Sequence, residues 1–178
     1  MILRCTGRLL SIVGQPSSTA YAPAATDWYA NLLWIERRKC LLVTHAGTLF
    51  SVFVPDVRAA SLRPIGRLVV PLIQAELVAD GLSADTLGAL EATEVVVART
   101  ADRSVLGSMN DMALMIESGV WADGGLPTCN VTELNRHLRR HLSGARGYKP
   151  PIELARGWGQ RAELTVIPHP PPALAGSD

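Results

Sequence analysis

The residues best suited to chemistry in this 178-residue chain fall between Arg99 and Glu117, in the run RTADRSVLGSMNDMALMIE. Just before it, Val95, Val96 and Val97 carry β-branched side chains that suit a strand, and Thr100 or Asp102 offers an oxygen to cap a helix beginning near Asp102. A strand running into a helix with Arg103 and Ser104 in its first turn suits an anion, because free N–H groups and the helix dipole favour negative charge there. Val105, Met109, Met112 and Ile116 recur at helical spacing and predict a buried stripe. Beside that stripe Asp102, Arg103, Ser104, Ser108, Asn110 and Asp111 lie on a polar flank, the candidate working surface. As an enzyme the segment would use Arg103 and Ser104 to hold a phosphate-bearing substrate, with Asp102, Asp111 or the distant His45 moving protons. Two features weigh against that chemistry: a glycine-rich phosphate turn is missing, and Gly107-Ser108-Met109 lacks the second glycine of the G-x-S-x-G elbow. The structural reading is preferred, with Gly107 and Ser108 small to admit a neighbour and Asn110 and Asp111 tying down a loop.

A second candidate surface is basic. Arg136, Arg139 and Arg140 crowd one side of a predicted helix, with Arg146 and Lys149 just beyond, and the group would grip phosphates of a nucleic acid. The helix-turn-helix frame and the exposed aromatics that sequence readers add are missing apart from Tyr148, so a solvated or docked basic face is favoured. His137 and His141 stand four apart, as in H-E-x-x-H, but Leu138 takes the place of the glutamate and arginines surround the pair. No metal or cofactor is expected. His45 ends a β-like run before Ala46-Gly47 and reads as a strand-end residue with a local hydrogen bond. Cys5, Cys40 and Cys129 are odd in number and lack C-x-x-C spacing, which excludes a disulfide framework or zinc ribbon and suits a reducing compartment.

The elements that must position these residues follow from periodicity. Met1 to Cys5 predicts a short strand and Thr6 the cap of a brief helix ending at Gly14, followed by a loop over 15–26. Trp28 to Glu36, Lys39 to His45 and Thr48 to Val54 are β-rich runs separated by links too short for parallel crossovers, so an antiparallel meander is expected. Helical patterns follow over 56–80, in a short piece from Ser83 to Leu90, in the Asp102 segment, and from Asn130 to Leu142, where Asn130 and Glu133 have capping-box spacing. Pro150 and Pro151 predict an extended segment, Glu163 to Ile167 an edge strand, and PHPPP a Pro-rich tail, poorly ordered from about 168. The predicted fold is α+β: an antiparallel meander sheet packed on one side by several helices, one domain over 1–154 with a C-terminal extension over 155–178.

TADRSVLGSMND, with the opening MILRCT and the DWYANLLW stretch, resembles an uncharacterised bacterial family of short proteins, a domain of unknown function, over most of Met1 to Leu154. The resemblance implies that Arg103, Ser104, Gly107, Asn110 and Asp111 belong to the family's signature segment, and it brings no activity with it. Net charge is +1, so an electrostatic partner must see a local patch. The distribution is uneven. Acids outnumber Arg99 and Arg103 between Glu76 and Glu133, whereas seven basic residues face only Glu153 between Arg136 and Arg161. No signal peptide or membrane span is read near the N-terminus, and a cytoplasmic location is expected. The favoured function is a non-catalytic regulatory protein binding another protein, such as one half of a small bacterial operon pair of toxin and antitoxin. An enzyme acting on an anionic substrate at 99–111 and a nucleic-acid binder using 136–149 are the alternatives.

Overall fold

The computed structural model describes residues 1–16, 21–142 and 144–165. Its centre is a hairpin of β2 (Trp28–Ile35) and β3 (Arg38–His45), turned by Glu36 and Arg37 at φ 49° and 64°. Two successive left-handed residues give the turn the twist that an antiparallel pair needs. β4 (Ser51–Val54) pairs antiparallel with β3, from Leu41 opposite Val54 to Thr44 opposite Ser51, so the expected meander forms here.

Beyond the hairpin the expectation fails. β1 (Ile2–Cys5) lies parallel to β2, with Leu3 opposite Trp28, and β5 (Val96–Arg99) lies parallel to β1, with Ile2 opposite Val96. The sheet is therefore mixed and five-stranded, ordered β4-β3-β2-β1-β5. The short links that rule out crossovers exist only between β2, β3 and β4. The chain between β1 and β2, with helix α1 (Gly7–Val13), and that between β4 and β5, with helix α2 (Gly66–Ala79), are long enough to return in the same direction.

Helices also cover both faces rather than one. Leu3, Trp28, Ala30, Leu32, Leu41, Val43 and Val52 meet Leu9 of α1, Val69, Ile73 and Leu77 of α2, and Ile152 and Ala155 of a later helix. On the other face Tyr29, Leu33, Ile35, Cys40, Leu42 and Phe53 meet α3 (Arg103–Ala122) and α4 (Val131–Arg140) through Val105, Met109, Met112, Ile116, Leu134 and Leu138. The reason is in the strands, where β2 and β3 are apolar at odd and even positions alike, the mark of a sheet buried on both sides. Ser83 to Leu90 forms turns, not a helix.

The later helix is α5 (Pro151–Thr165), where an extended chain was expected. Pro151 is its first residue, where the missing N–H costs nothing and the fixed φ suits the helix. It runs across the anticipated boundary at 154 and takes in Glu163, so the predicted edge strand is helical as far as Thr165. The rest of that strand and the Pro-rich tail lie outside the described residues. Among the described residues no helix is long and apolar enough to cross a membrane.

Buried polar contacts fix the layers. Arg4 in β1 donates to Asp27 at 2.6 Å and to the carbonyls of Tyr21, Ala22 and Arg99, so one guanidinium holds the loop before β2 and the end of β5. At the opposite edge α4 caps β4: Asn135 accepts from Phe53 N at 2.6 Å and donates to Phe53 O at 3.1 Å, standing in for a neighbouring strand. One turn on, Arg139 is 2 % exposed, lies over the Phe50 ring, sits 2.7 Å from Glu76 and donates to Asp80.

Candidate functional site

The signature helix begins as its sequence predicts. Asp102 caps α3, its carboxylate accepting from Ser104 N at 2.7 Å and Val105 N at 3.3 Å, while Tyr29 Oη accepts from Asp102 N at 3.1 Å. The donors that would have met an anion thus meet a side chain that is itself negative. Along α3, Arg103, Ser104, Asn110 and Asp111 are exposed, whereas Ser108 is buried and donates to Ser104 O. Gly107 is exposed too, and a Cβ there would meet nothing within 4 Å, so close packing is not the reason for that glycine.

His45 is nowhere on this flank. It is fully buried, with Nδ1 3.0 Å from Thr48 Oγ1 and its ring 5.0 Å from those of Trp28 and Trp158. Burial, aided by the Arg146 cation and opposed by Asp27, pushes its pKa down to about 4. No carboxylate hydrogen-bonds to it among the described residues. Above it a cleft of about 300 Å3 is lined by Asp102, Ala46, Gly47, Arg146 and Trp158. Arg146 donates to the carbonyls of Ala46 and Gly47, and Trp158 packs so closely that a Cβ on Gly47 would lie 2.5 Å from its ring. This is a packed joint around a neutral imidazole.

The five basic residues do not form one patch. Arg139 is interior, Arg140 lies 3.5 Å from Asp80, Arg136 pairs with Glu133 at 2.5 Å, Arg146 turns to the β3–β4 loop, and Lys149 is exposed. His137 and His141 are exposed with ring centroids 6.3 Å apart, and among the described residues no group of three His, Cys, Asp or Glu side chains is placed to hold a metal. The three thiols share one tendency, each pKa being raised by burial, that of Cys5 to about 12.

What the structure does bring together is a seam between α3 and α4. At one end Ser108, Asp111, Met112 and Met115 face Leu138, His141 and Leu142 across a cavity of about 110 Å3. Ser108, Asp111 and His141 share that wall, yet no hydrogen bond links them and the Ser108 hydroxyl is committed to Ser104 O, so no nucleophile relay is assembled. From Met115 the seam opens into a groove of about 740 Å3, with Leu114, Ser118, Gly119 and Ala122 on one side and Asn130, Glu133, Leu134 and His137 on the other. Small residues lower the α3 wall, and a Cβ on Gly119 would already touch Leu134 at 3.0 Å. Leu114, at the edge of the groove, is 64 % exposed, and Trp121, two turns further along the same face of α3 and outside the groove lining, is 83 %. Leu142 is 52 % exposed at the other end. Leu114 and Trp121 escape a sequence reading that follows the buried stripe. Both are apolar residues that fall off it, and that was the available signal.

The chain belongs to a family defined by a domain of unknown function, DUF6933, whose model matches residues 2–154. The match takes in all five strands, α1 to α4 and the first turn of α5, and Trp158 lies beyond it. No curated protein and no solved structure matches the chain.

Proposed function

We propose that this protein is a non-catalytic interaction protein that binds another protein through the α3–α4 groove. One observation carries the reading: Trp121, the most exposed large apolar side chain among the described residues, shares a helix face with Leu114, and Leu114 lines the groove together with Met115, Gly119 and Leu134. A tryptophan left in water beside an apolar trough is the usual anchor of a protein contact, because burying it on a partner removes a large apolar area from solvent. The polar flank at Ser108 and Asp111 forms the head of the same seam, so the surface marked by the sequence is continuous with it. The capping of α3 by Asp102 and the burial of His45 weigh against anionic-substrate chemistry. The interior place of Arg139 weighs against a basic nucleic-acid face. A regulatory pair encoded together, such as a toxin with its antitoxin, is the form of complex that a small domain with one such groove suits.

Purification from a native host at low salt tests the reading. The wild-type chain is expected to bring a stoichiometric protein with it, and a Leu114→Ser/Trp121→Ser chain is expected to come alone while melting at the same temperature. Equal recovery with both chains would contradict the reading.

A further inference from the structure

The two edges of the sheet are finished differently. Along β4 the outermost backbone groups of Phe53 are taken by Asn135 of α4. Along β5 nothing takes them. The bond from Val96 N to the carbonyl of Met1 sets the parallel ladder so that Val96 and Ala98 turn their backbone groups to β1. The N–H groups of Val97 and Arg99 and the carbonyls of Val95 and Val97 therefore lie on the outer side, and none of the four has a hydrogen-bond partner among the described residues. Val95 and Val97 turn their side chains to the face that carries α1 and α2, where with Val13, Ile65 and Arg67 they line a cleft of about 310 Å3 beside the open edge. Arg99 follows two residues on along the same face, outside the cleft lining. Arg67 and Arg99 are exposed and in no ion pair among the described residues, and Glu91 and Glu94 of the preceding loop pair with neither.

A row of donors and acceptors at strand spacing matches an extended backbone, the apolar cleft next to it takes an alternate side chain, and cations on the same face take an acid. We infer that the β5 edge is a second docking site, where an extended acidic segment of a partner protein adds a sixth strand. It seats an apolar side chain in the cleft at Val95 and Val97 and carries aspartate or glutamate two residues away to meet Arg99 or Arg67. The site lies at the sheet edge, apart from the α3–α4 groove, and does not depend on it. A second copy of this chain is the poorer occupant. Antiparallel pairing of two β5 strands about Val97 would lay the Arg99 of each copy opposite Val95 of the other, beside a cleft that Arg67 already lines, and like charges across an interface oppose it.

Fluorescein-labelled threonine-rich peptides of about nine residues, with a central valine and with Glu, Gln or Lys at both positions two residues from it, test this by anisotropy on the full chain. The symmetric pattern reads alike in either strand direction. The Glu peptide is expected to bind about tenfold tighter than the Lys peptide, with Gln between, a gap that closes as NaCl rises from about 0.05 to 0.5 M. N-methylation of alternate backbone nitrogens should abolish binding in one frame and leave it unchanged in the other, because only every second amide faces β5. Val97→Pro removes an outward N–H and no bond to β1, and should weaken the Glu peptide about tenfold. The methylation arm reads the same ladder on the wild-type chain, so the test survives a Val97→Pro chain that does not fold. Arg67→Gln with Arg99→Gln should bring the Glu peptide to the affinity of the Gln peptide, while Trp121→Ser changes none of them. No binding, or binding indifferent to methylation in both frames, would overturn the inference of strand addition. Equal binding of the Glu and Lys peptides would overturn the acidic partner. Self-association of the chain, abolished by Val97→Pro, would assign the edge to a second copy and overturn the inference.

Discussion

His45 shows how a residue with catalytic credentials is spent on structure. Its pKa of about 4 lies below the ordinary value near 6.5, so between those pH values the unfolded chain takes up a proton that the folded chain refuses. The contribution of a neutral His45 is complete above pH 6.5 and falls as the pH drops toward 4. At ~1.4 kcal/mol for each pH step between those two values, the loss is at most ~3 kcal/mol. Urea unfolding at pH 7 and pH 4 is expected to show wild type losing more stability than His45→Gln by up to that amount, and equal losses would contradict a neutral buried imidazole. Gly47 beside it is needed for space. In Gly47→Ala the new carbon meets the Trp158 ring at 2.5 Å and Ala25 O at 2.8 Å, and an expected loss of ~1–3 kcal/mol by thermal melts should be only partly recovered by Trp158→Ala, because the carbonyl remains.

At the scale of elements, α4 is the part whose sequence misleads most. Its arginines look like a surface patch, but Arg139 and Asn135 point inward and bind α2 and the β4 edge to the helix. Arg139→Ala, which leaves Asp80 and Glu76 facing an empty site, is expected to cost ~3–5 kcal/mol, and Arg139→Met clearly less, in denaturant titrations. Asn135→Ala uncovers the Phe53 N–H and carbonyl. A loss of ~1–3 kcal/mol is expected, with faster aggregation by light scattering as the β4 edge opens. Local elements were legible where one physical rule dominated: the Asp102 cap, the Val105-to-Ile116 stripe, the Asn130 start of α4 and the β2–β3–β4 hairpins. The parallel placement of β1 and β5 was not, because it depends on long crossovers that carry no local signal. The start of α5 was lost because two consecutive prolines read as a break, although the second of them is a good first helical residue. Of the site, the flank at Ser108 and Asp111 was visible as a polar stripe, while Leu114 and Trp121 are informative only once the buried side of α3 is known.

For the whole molecule, the mixed sheet gives its two faces different duties. One is closed by α1, α2 and α5 around Trp28 and Leu77, and the other carries α3 and α4 and presents the seam between them to solvent. Stability and binding should therefore separate. Trp121→Ser is expected to shift unfolding by no more than ~0.5 kcal/mol, as for a surface residue, while removing the partner. The most direct measurement of the groove's role is hydroxyl-radical footprinting of the chain alone and in its native complex, with the oxidation of Trp121 read against that of Trp34, which is 50 % exposed, lies in β2 and lines neither end of the seam. A large fall in Trp121 oxidation on complex formation with Trp34 unchanged is the predicted result. Trp121 oxidised as fast in the complex as in the free chain would contradict the account.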